Sequence, residues 1–433
     1  MAITSSLILL ATFLFLSILG LPLAIAIVAA ALAAVSLIAP PEMMIFTAAQ
    51  KMMASLDSFS LLAVPFFILS GVIMNSGGIA IRLVRLAQLI AGRIPGSLAQ
   101  TNIAGNMLFG CISGSAIAAS TSIGGVMVPM QEREGYDRNL AAAVNIASAP
   151  TGMLIPPTTS FIIYSLVAGG GTSIAALFVA GGVIGVLWGL LMMIAVGIIA
   201  KHRGYPTVPP GQCSEALKIT IEALPSLLLI VIIIGGIVSG IFTAVEASGV
   251  AVIYTLVLAF VIHRTTPISQ LPKFLIETAQ MTGAIMLLLS ASAALSFAMA
   301  FAGIPTAITE AILGVSDNPF IVILIINLLL LIVGCFMDIG PAILIFTPIL
   351  LPIATQVGMD PVQFGVVLIF NLCIGTITPP VGTGLFVGAA VANVRVERAI
   401  KALLPFYALL VALLLIVNYW PALTLSLPRW LGI

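Results

Sequence analysis

Residues 371–384 read NLCIGTITPPVGTG, and they interrupt an apolar run, 362–390, that is long enough to cross a bilayer. Each proline of the Pro379-Pro380 pair disfavours a helix interior by about 3 kcal/mol, and each glycine around the pair disfavours it by about 1 kcal/mol. In lipid, the backbone groups that leave a helix must find other partners. The stretch therefore predicts a transmembrane helix that is broken in the middle, and the break itself needs a reason.

The rest of the composition belongs to a membrane protein. The chain has 433 residues, of which 61% are hydrophobic and only 7% charged, with repeated apolar runs of about 20 residues, so we expect an all-α polytopic membrane protein. The N-terminus lacks the basic residues of a signal peptide and predicts a retained first helix. A formal net charge of +1 argues against nucleic acid as a partner.

Residues typical of enzymes are missing from the apolar runs. The sequence holds no HExxH, GxSxG or Walker A motif, and both histidines, His202 and His263, fall in gaps between runs. The four cysteines show no metal-binding spacing. We therefore do not expect an enzyme, and without an ATPase the energy for transport would come from an ion gradient.

Twelve apolar runs organise the chain, and two of them are too long for one helix. The runs lie near 5–20, 22–39, 60–76, 97–130, 140–166, 173–200, 224–241, 245–262, 281–302, 319–356, 362–390 and 403–425. The fourth and tenth runs could each be two full spans or a re-entrant hairpin of two half-helices. Either form returns the chain to the side it came from.

The basic residues give the topology. Walking from the N-terminal side puts 13 of the 15 basic residues on the opposite side and leaves only Lys51 and Arg429 on the first: the 13 are Arg82, Arg85, Arg93, Arg133, Arg138, Lys201, Arg203, Lys218, Arg264, Lys273, Arg395, Arg398 and Lys401. The positive-inside rule makes the side with 13 the cytoplasm. We therefore expect both termini on the outer side of the membrane.

Three segments are too polar to span. Residues 79–93 and 267–280 are amphipathic and charged, so we expect them to lie along the interface as connecting arms. Residues 201–218 form a Pro-rich polar stretch, which we interpret as a cytoplasmic linker between two halves, 1–200 and 219–433.

The two halves resemble each other. GC at 110–111 returns at 334–335, Pro129 at Pro352, Gly152 at Gly375 and the pair Pro156-Pro157 at Pro379-Pro380, with spacings of 224, 223, 223 and 223 residues. Each half carries about five spans and one hairpin, predicted near 97–131 and 318–356, with a broken helix near 139–166 and 362–391. Five spans is an odd number, so the second copy enters from the opposite side, which predicts inverted repeats of the kind that build many secondary transporters.

This symmetry explains the opening stretch. FGCISGSAIA (109–118) pairs with SAPTGMLIPPTTS (148–160), and VGCFMDIGPAI (333–343) pairs with 371–384. Broken helices free carbonyl oxygens, and Ser and Thr add hydroxyls, which together suit a hard cation such as Na⁺, while half-helix N-termini attract an anion. A proline kink repaired by neighbouring helices is the structural alternative.

Asp338 is the strongest single candidate for a functional residue. If the hairpin is re-entrant, Asp338 is the only carboxylate near the midplane, where a charge costs roughly 3 kcal/mol and so should have a task. A surface loop between two full spans is its alternative. Ser113 and Ser115 occupy the matching tip, where bonding back to helix carbonyls would be a purely structural role. Thr243 and Glu246 form a capping-box pattern at a helix start, which we interpret as structural.

The motifs GCISGSA, PTGMLIPPTTSFIIY, GCFMDIGPAILIFTPILLPIA and ITPPVG resemble the large membrane (M) subunit of TRAP (tripartite ATP-independent periplasmic) transporters, over essentially the whole chain. The resemblance implies a Na⁺-driven importer of organic anions, either C4-dicarboxylates or sugar acids. It also implies elevator-type scaffold and transport domains, a small four-helix membrane subunit and a periplasmic substrate-binding protein. The GTG after ITPPV looks more like the sugar-acid members, so sialic acid is our first expectation.

The resemblance also implies site residues. Two or more Na⁺ sites are expected, formed by Ser113, Gly114, Ser115, Gly152, Ile155 and Pro156, and by Gly334, Gly340, Gly375, Thr376 and Thr378. Substrate is expected near Ser115, Thr158, Ser160 and Asp338. Some relatives carry an acidic residue near Ala119, and this chain does not. A stand-alone Na⁺/anion symporter would fit the same residues, and an ion channel is the alternative from another class.

Overall fold

The computed structural model describes residues 2–36, 38–76, 79–91, 94–169, 171–205, 213–264, 266–315 and 318–433, and these are helical with short connections and no β-strand. The helices of the first half are α1 (Ala2–Ile18), α2 (Leu23–Val35), α3 (Pro41–Leu56), α4 (Ala63–Ser76), α5 (Ile79–Ala91), α6 (Ser97–Ser113), α7 (Ala116–Arg133), α8 (Arg138–Ser148), α9 (Thr159–Val167) and α10 (Ile174–Arg203). Those of the second half are α11 (Cys213–Val238), α12 (Ala244–Leu256), α13 (Leu271–Phe301), α14 (Ile304–Val315), α15 (Pro319–Phe336), α16 (Ile339–Gln356), α17 (Pro361–Thr376), α18 (Thr383–Val391), α19 (Val396–Tyr419) and α20 (Ala422–Trp430).

Many of these helices can cross a bilayer. Seven helices among the described residues are long and apolar enough to span, and α3 with the helical segment after it forms an eighth candidate that bends by 63°. The prediction of an all-α polytopic membrane protein is therefore confirmed.

Each half contains a pair of helices joined at a sharp tip. In the first pair α6 ends at Ser113 and α7 begins at Ala116, where the Ser115 hydroxyl accepts a hydrogen bond from the Ala118 N–H at 3.3 Å. In the second pair α15 ends at Phe336 and α16 begins at Ile339. We call the two tips, residues 113–116 and 336–340, the first tip and the second tip.

Each half also contains a broken helix beside its tip. In the first half α8 passes into a 3-10 turn at Ala149–Met153, and α9 starts only at Thr159. In the second half α17 ends at Thr376 and α18 starts at Thr383. The Pro156-Pro157 and Pro379-Pro380 bonds, both cis, lie in these gaps. The inverted relation of the two halves stays a prediction.

The arm expected at 267–280 is wrong. Residues 271–301 form the single helix α13, because no proline interrupts the chain after its first turn, and the supposed arm is the first part of a helix about 45 Å long. The short amphipathic helix that precedes the second hairpin is α14, and it takes the place that α5 has in the first half. The linker expected at 201–218 is shorter than predicted: α10 continues to Arg203, α11 begins at Cys213, and 206–212 lie outside the described residues.

Three hydrophobic clusters include residues of α13: a large core with Leu289, a smaller one with Ala291 and Leu295, and a third, minor one with Phe274. The larger core joins both tips' helices to α10, α17 and α19. The smaller one is built mainly from α2 and α13, with Ile27, Val35, Ala291 and Leu295 among its buried members. The predicted capping box is confirmed at the start of α12: the Thr243 hydroxyl accepts from the Glu246 N–H at 3.3 Å, and the Glu246 carboxylate accepts from the Thr243 N–H at 2.8 Å.

Candidate functional site

A cavity of about 480 Å³ lies where the two tips meet. Residues 112–118 of the first tip region and 338–341 of the second line it, together with parts of α4, α9, α11 and α13. The α13 residues on its wall run from Glu277, in the first quarter of that helix, to Leu288, just past its middle. Both tips therefore lie alongside α13 rather than beyond its ends. The re-entrant form of the hairpins stays a prediction, because α15 and α16 are each long and apolar enough to span.

Four helix N-termini converge on this cavity. Its wall includes Ala116, Thr159, Ile339 and Thr383, the first residues of α7, α9, α16 and α18. Backbone N–H groups at a helix N-terminus have no partner within the helix and carry partial positive charge. The described residues on the wall include no Lys or Arg. The charged side chains on this wall are those of Glu277 and Asp338, so backbone dipoles are its source of positive potential.

Three of the four predicted substrate residues lie on the cavity wall. Ser115, Ser160 and Asp338 come from the two tips and the start of α9. Asp338 occupies the N-cap position of α16, yet its carboxylate makes no capping hydrogen bond and is solvent-exposed. Its oxygens are therefore free for a ligand.

Thr158 has a different position from the other three. Its side chain is buried, does not line the cavity, and accepts a hydrogen bond from the Ser160 N–H at 3.2 Å. The hydroxyl therefore caps α9. Thr158 holds the Ser160 backbone in place rather than facing the cavity.

Of the residues predicted to bind Na⁺, Ser113, Gly114, Ser115, Gly340 and Thr376 line the cavity. The Ser113 hydroxyl donates only at 3.4 Å, to the Gly110 and Ser115 carbonyls. Thr376 and Thr378 donate their hydroxyls to helix carbonyls, of Cys373 at 2.8 Å and of Ile374 at 2.7 Å. Their oxygen lone pairs remain available to a cation, because a donating hydroxyl is still an acceptor.

Three predicted Na⁺ residues are at close backbone crossings. A Cβ on Gly110 would lie 2.7 Å from the Gly152 Cα, and a Cβ on Gly334 would lie 3.0 Å from the Gly375 Cα. The same crossing thus occurs in both halves, at positions 224 and 223 residues apart. Packing of the hairpin onto the broken helix is sufficient reason for glycine at Gly152, Gly334 and Gly375. Ile155 and Pro156 also lie away from the cavity, against Gly185 and Gly182 of α10.

The second broken stretch is tied to the second tip. The Gly382 N–H donates to the Cys335 carbonyl at 2.9 Å. Gly382 has φ 37°, and a Cβ there would lie 2.6 Å from the Thr378 carbonyl oxygen and 3.2 Å from that of Thr376. The turn therefore brings two carbonyl oxygens together beside the tip. Among the described residues there is no cluster of three His, Cys, Asp or Glu side chains, so a cation here would be held by carbonyl and hydroxyl oxygens.

Buried Asn and Ser side chains form a hydrogen-bonded cluster near each broken helix. In the first half the Asn106 amide donates to Asn145 Oδ1 at 3.0 Å and to Ser148 Oγ at 2.8 Å, while the Asn145 amide donates to Ser120 Oγ at 3.0 Å. In the second half Asn371 donates to Asn327, which also bonds Asn418. Neither cluster is predicted above from the sequence, although an asparagine inside an apolar run is itself a signal.

Glu277 is the other residue that the sequence analysis missed. It is half-buried and lies on the cavity wall, four residues before Met281 on the same face of α13. The charged segment around Glu277 predicts an interfacial arm instead. In the structure α13 continues through residue 280 and brings Glu277 beside the site.

Comparisons with known proteins agree with this arrangement. Residues 10–423 match the DctM family, described as the DctM component of the tripartite ATP-independent periplasmic transporter. The chain is 39% identical over 382 residues to the sialic acid TRAP transporter large permease protein SiaM of Vibrio cholerae, covering 88% of this chain and 89% of that protein. It is 37% identical over 382 residues to the C4-dicarboxylate TRAP transporter large permease protein DctM of Pseudomonas aeruginosa, with the same coverage.

A solved structure has the same fold. The YdaH transporter of Alcanivorax borkumensis superimposes with a TM-score of 0.63 over 89% of each chain, at 14% sequence identity. A likeness at that identity concerns the fold alone. The family match covers nearly the entire sequence, so this multi-pass membrane protein belongs to the DctM family of tripartite ATP-independent periplasmic transporters, as a large permease subunit.

Proposed function

We propose that the chain imports an organic anion through the cavity between the two tips and couples the import to Na⁺. The observation that carries this proposal is the meeting of four helix N-termini at one cavity that also exposes Ser115, Ser160 and Asp338. Unpaired N–H groups bind carboxylate oxygens, and hydroxyls hold the remaining polar groups of the substrate.

Na⁺ coupling is supported by the oxygens at the same place. The Thr376 and Thr378 carbonyls and hydroxyls gather beside the second tip, and Ser113 and Ser115 lie at the first. A bound Na⁺ would offset the Asp338 charge and add positive potential for the anion. Bound Na⁺ would thus raise the affinity of the site for the anion, and the bound anion would raise its affinity for Na⁺, as coupled transport requires.

Both cores cross between the hairpins and the other helices: the larger core includes Leu289 of α13, and the smaller one includes Ile345 of α16. Movement of one body against another is supported instead by the sequence pattern of two halves, each with a hairpin and a broken helix. We propose that the tips and broken helices carry the cavity across the membrane past α13, as an elevator. The charge pattern supports periplasmic termini and an inner-membrane location.

The partners and the substrate follow from the family. Its tripartite description supports a substrate-binding protein and a small membrane subunit as the other two components. Relatives named for sialic acid and for C4-dicarboxylates are 39% and 37% identical, so the names do not separate these substrates. The serine and threonine hydroxyls on the otherwise largely apolar cavity wall support a polyhydroxylated sugar acid, and sialic acid is the first substrate to test.

Uptake of labelled sialic acid into proteoliposomes tests the proposal. The vesicles contain this chain and its small subunit, with an inward Na⁺ gradient imposed or omitted and the binding protein added or withheld. Uptake that needs both supports the proposal in full. Uptake without the binding protein would favour a stand-alone symporter, and uptake that never exceeds equilibrium would favour a channel. If sialic acid fails, C4-dicarboxylates are tested next in the same vesicles.

A further inference from the structure

One helix forms the wall of two separate cavities. Along α13, residues from Glu277 to Leu288 face the cavity between the tips, and residues from Leu289 to Ala300 face a second cavity of about 1000 Å³. The two walls follow each other without a gap, over about 35 Å of helix. The Ser292 hydroxyl on the wall of the second cavity donates to the carbonyl of Leu344 of α16, which lies on the wall of the first.

The second cavity has the chemistry of an anion site. Lys51 is the only charged residue among its described lining, and within the described chain no carboxylate lies within 4.0 Å of the Lys51 amine. Ser58, Ser60 and Ser296 line the same space, are half-buried, and donate to no other described residue. Lys51 and three serines with free hydroxyls therefore line a single space.

The position of Lys51 is unusual for this chain. The charge pattern assigns 13 of the 15 basic residues to the cytoplasmic side and only Lys51 and Arg429 to the outer side. Lys273 is on the cytoplasmic side and precedes the part of α13 that faces the first cavity, so the second cavity belongs to the outer half of the membrane. An imported anion would meet this space first.

We propose that the second cavity is an outer vestibule that binds the carboxylate of the incoming substrate, with Lys51 as the attracting charge and Ser58, Ser60 and Ser296 as hydrogen-bond donors. This rests on the proposed import of an organic anion. The vestibule would hold the anion beside α13 until the tips rise to receive it. Lys51 then sets the rate of arrival rather than the rate of translocation.

Cysteine modification tests the vestibule without using transport. Ser296→Cys is reacted in spheroplasts with a sulfonated, anionic methanethiosulfonate and with a neutral one of similar size. The chain without this substitution is the blank. We expect labelling from outside, and we expect Lys51→Gln to slow the anionic reagent about three- to tenfold while leaving the neutral reagent unchanged, as one unit charge at close range predicts. Arg429→Gln, the other outer basic residue, is the matched control and should change neither rate.

Two results would overturn the vestibule. The first is a Ser296→Cys thiol that reacts only from the cytoplasmic face. The second is an equal effect of Lys51→Gln on the anionic and neutral reagents, which would mean that Lys51 shapes the cavity rather than its potential.

Uptake kinetics connect the vestibule to transport. In proteoliposomes we expect Lys51→Gln to raise KM about three- to tenfold with kcat within about twofold, Lys51→Arg to behave like wild type, and Arg429→Gln to be silent. The affinity of the complex for the binding protein is measured alongside. If Lys51→Gln weakens that affinity by the same factor, Lys51 is a docking residue and the vestibule is wrong. A wild-type protein that takes up no anion, with the labelling result intact, would refute the proposed function and leave the anion site standing.

Discussion

Two glycine pairs set the distance between each hairpin and its broken helix. Gly110 meets Gly152, and Gly334 meets Gly375, so closely that either backbone would have to move to admit a side chain. Backbone cannot yield as the end of a flexible side chain can. These contacts fix how the tips lie relative to the carbonyls and helix N-termini of the site.

Gly152→Ala tests the first crossing. The new Cβ would lie 2.8 Å from the Cys111 N atom, and overpacking of this kind costs about 1–3 kcal/mol. We expect a lower Tm in detergent and a loss of uptake. Gly125→Ala is the control, because a Cβ there meets nothing within 4 Å in α7. It should keep the Tm or raise it, since alanine is the better helix former. A wild-type Tm for Gly152→Ala would contradict the crossing.

Asp338→Asn tests whether the Asp338 carboxylate binds a ligand or caps its helix. Asp338 makes no capping hydrogen bond, whereas Asp360, also at an N-cap, accepts from the Val362 N–H at 2.8 Å. We expect Asp338→Asn to lower Na⁺-driven uptake at least about tenfold with little change in Tm. Asp360→Ala should leave uptake nearly unchanged and lower the Tm, because the lost cap costs about 1 kcal/mol of stability. Both variants are measured for uptake and Tm; normal uptake in Asp338→Asn would remove Asp338 from the site.

At the scale of elements, Asp137 links α8 to the end of α10. Its carboxylate accepts from the Asn139 N–H at 2.8 Å and pairs with Arg203 at 3.3 Å. Partial burial of Asp137 raises the pKa of its carboxyl, but the hydrogen bonds from Asn139 and Arg203 outweigh this, and the pKa is lowered overall. Its stabilisation is therefore present above the unfolded value of about 3.9 and is lost as pH falls through the lower folded pKa.

The pH dependence of Tm checks this link. Between pH 7 and pH 3 we expect Tm of the wild type to fall further than that of Asp137→Asn, which cannot gain a proton at this position. The variant starts lower at pH 7 and approaches the wild type at pH 3. Parallel curves with a constant offset would mean that the charge of Asp137 contributes nothing.

The elements themselves were partly predictable. Apolar runs, the Pro-Pro pairs and the capping box at Thr243 mark helices and breaks by local rules, and they held. The arm at 267–280 did not, because charge near Lys273 and Glu277 suggested an interface, whereas helix continuity depends only on the absence of a breaker. For the same reason the sequence pattern did not predict Glu277 as a residue of the site. Likewise the Gly152 crossing depends on a distant segment, which no local pattern reveals.

At the scale of the whole molecule, α13 is the element that both cavities share. The smaller core packs α13 against α2 and α3 and also includes Ile345 of the second hairpin, and Ser292 of α13 bonds the Leu344 carbonyl next to it. If the hairpins move along α13 as proposed, this contact breaks when the cavity opens on the other side. The hydrogen bond from Ser292 to Leu344 is thus a candidate for the contact that holds the hairpin in its present position on α13.

A pair of cross-links tests whether that contact must break. Ser292 bonds the Leu344 carbonyl of α16, and two residues earlier Ser290 bonds the Met52 carbonyl of α3 at 3.4 Å. Both bonds start on α13, but only the first joins it to a hairpin. Bridging Ser292→Cys to Leu344→Cys with a short thiol cross-linker should abolish uptake, and reduction should restore it. The same bridge between Ser290→Cys and Met52→Cys should leave uptake nearly unchanged, because neither α3 nor α13 belongs to a hairpin. Uptake that survives the first bridge would show that α16 does not move along α13, and the elevator would have to be replaced by a local opening of the tips.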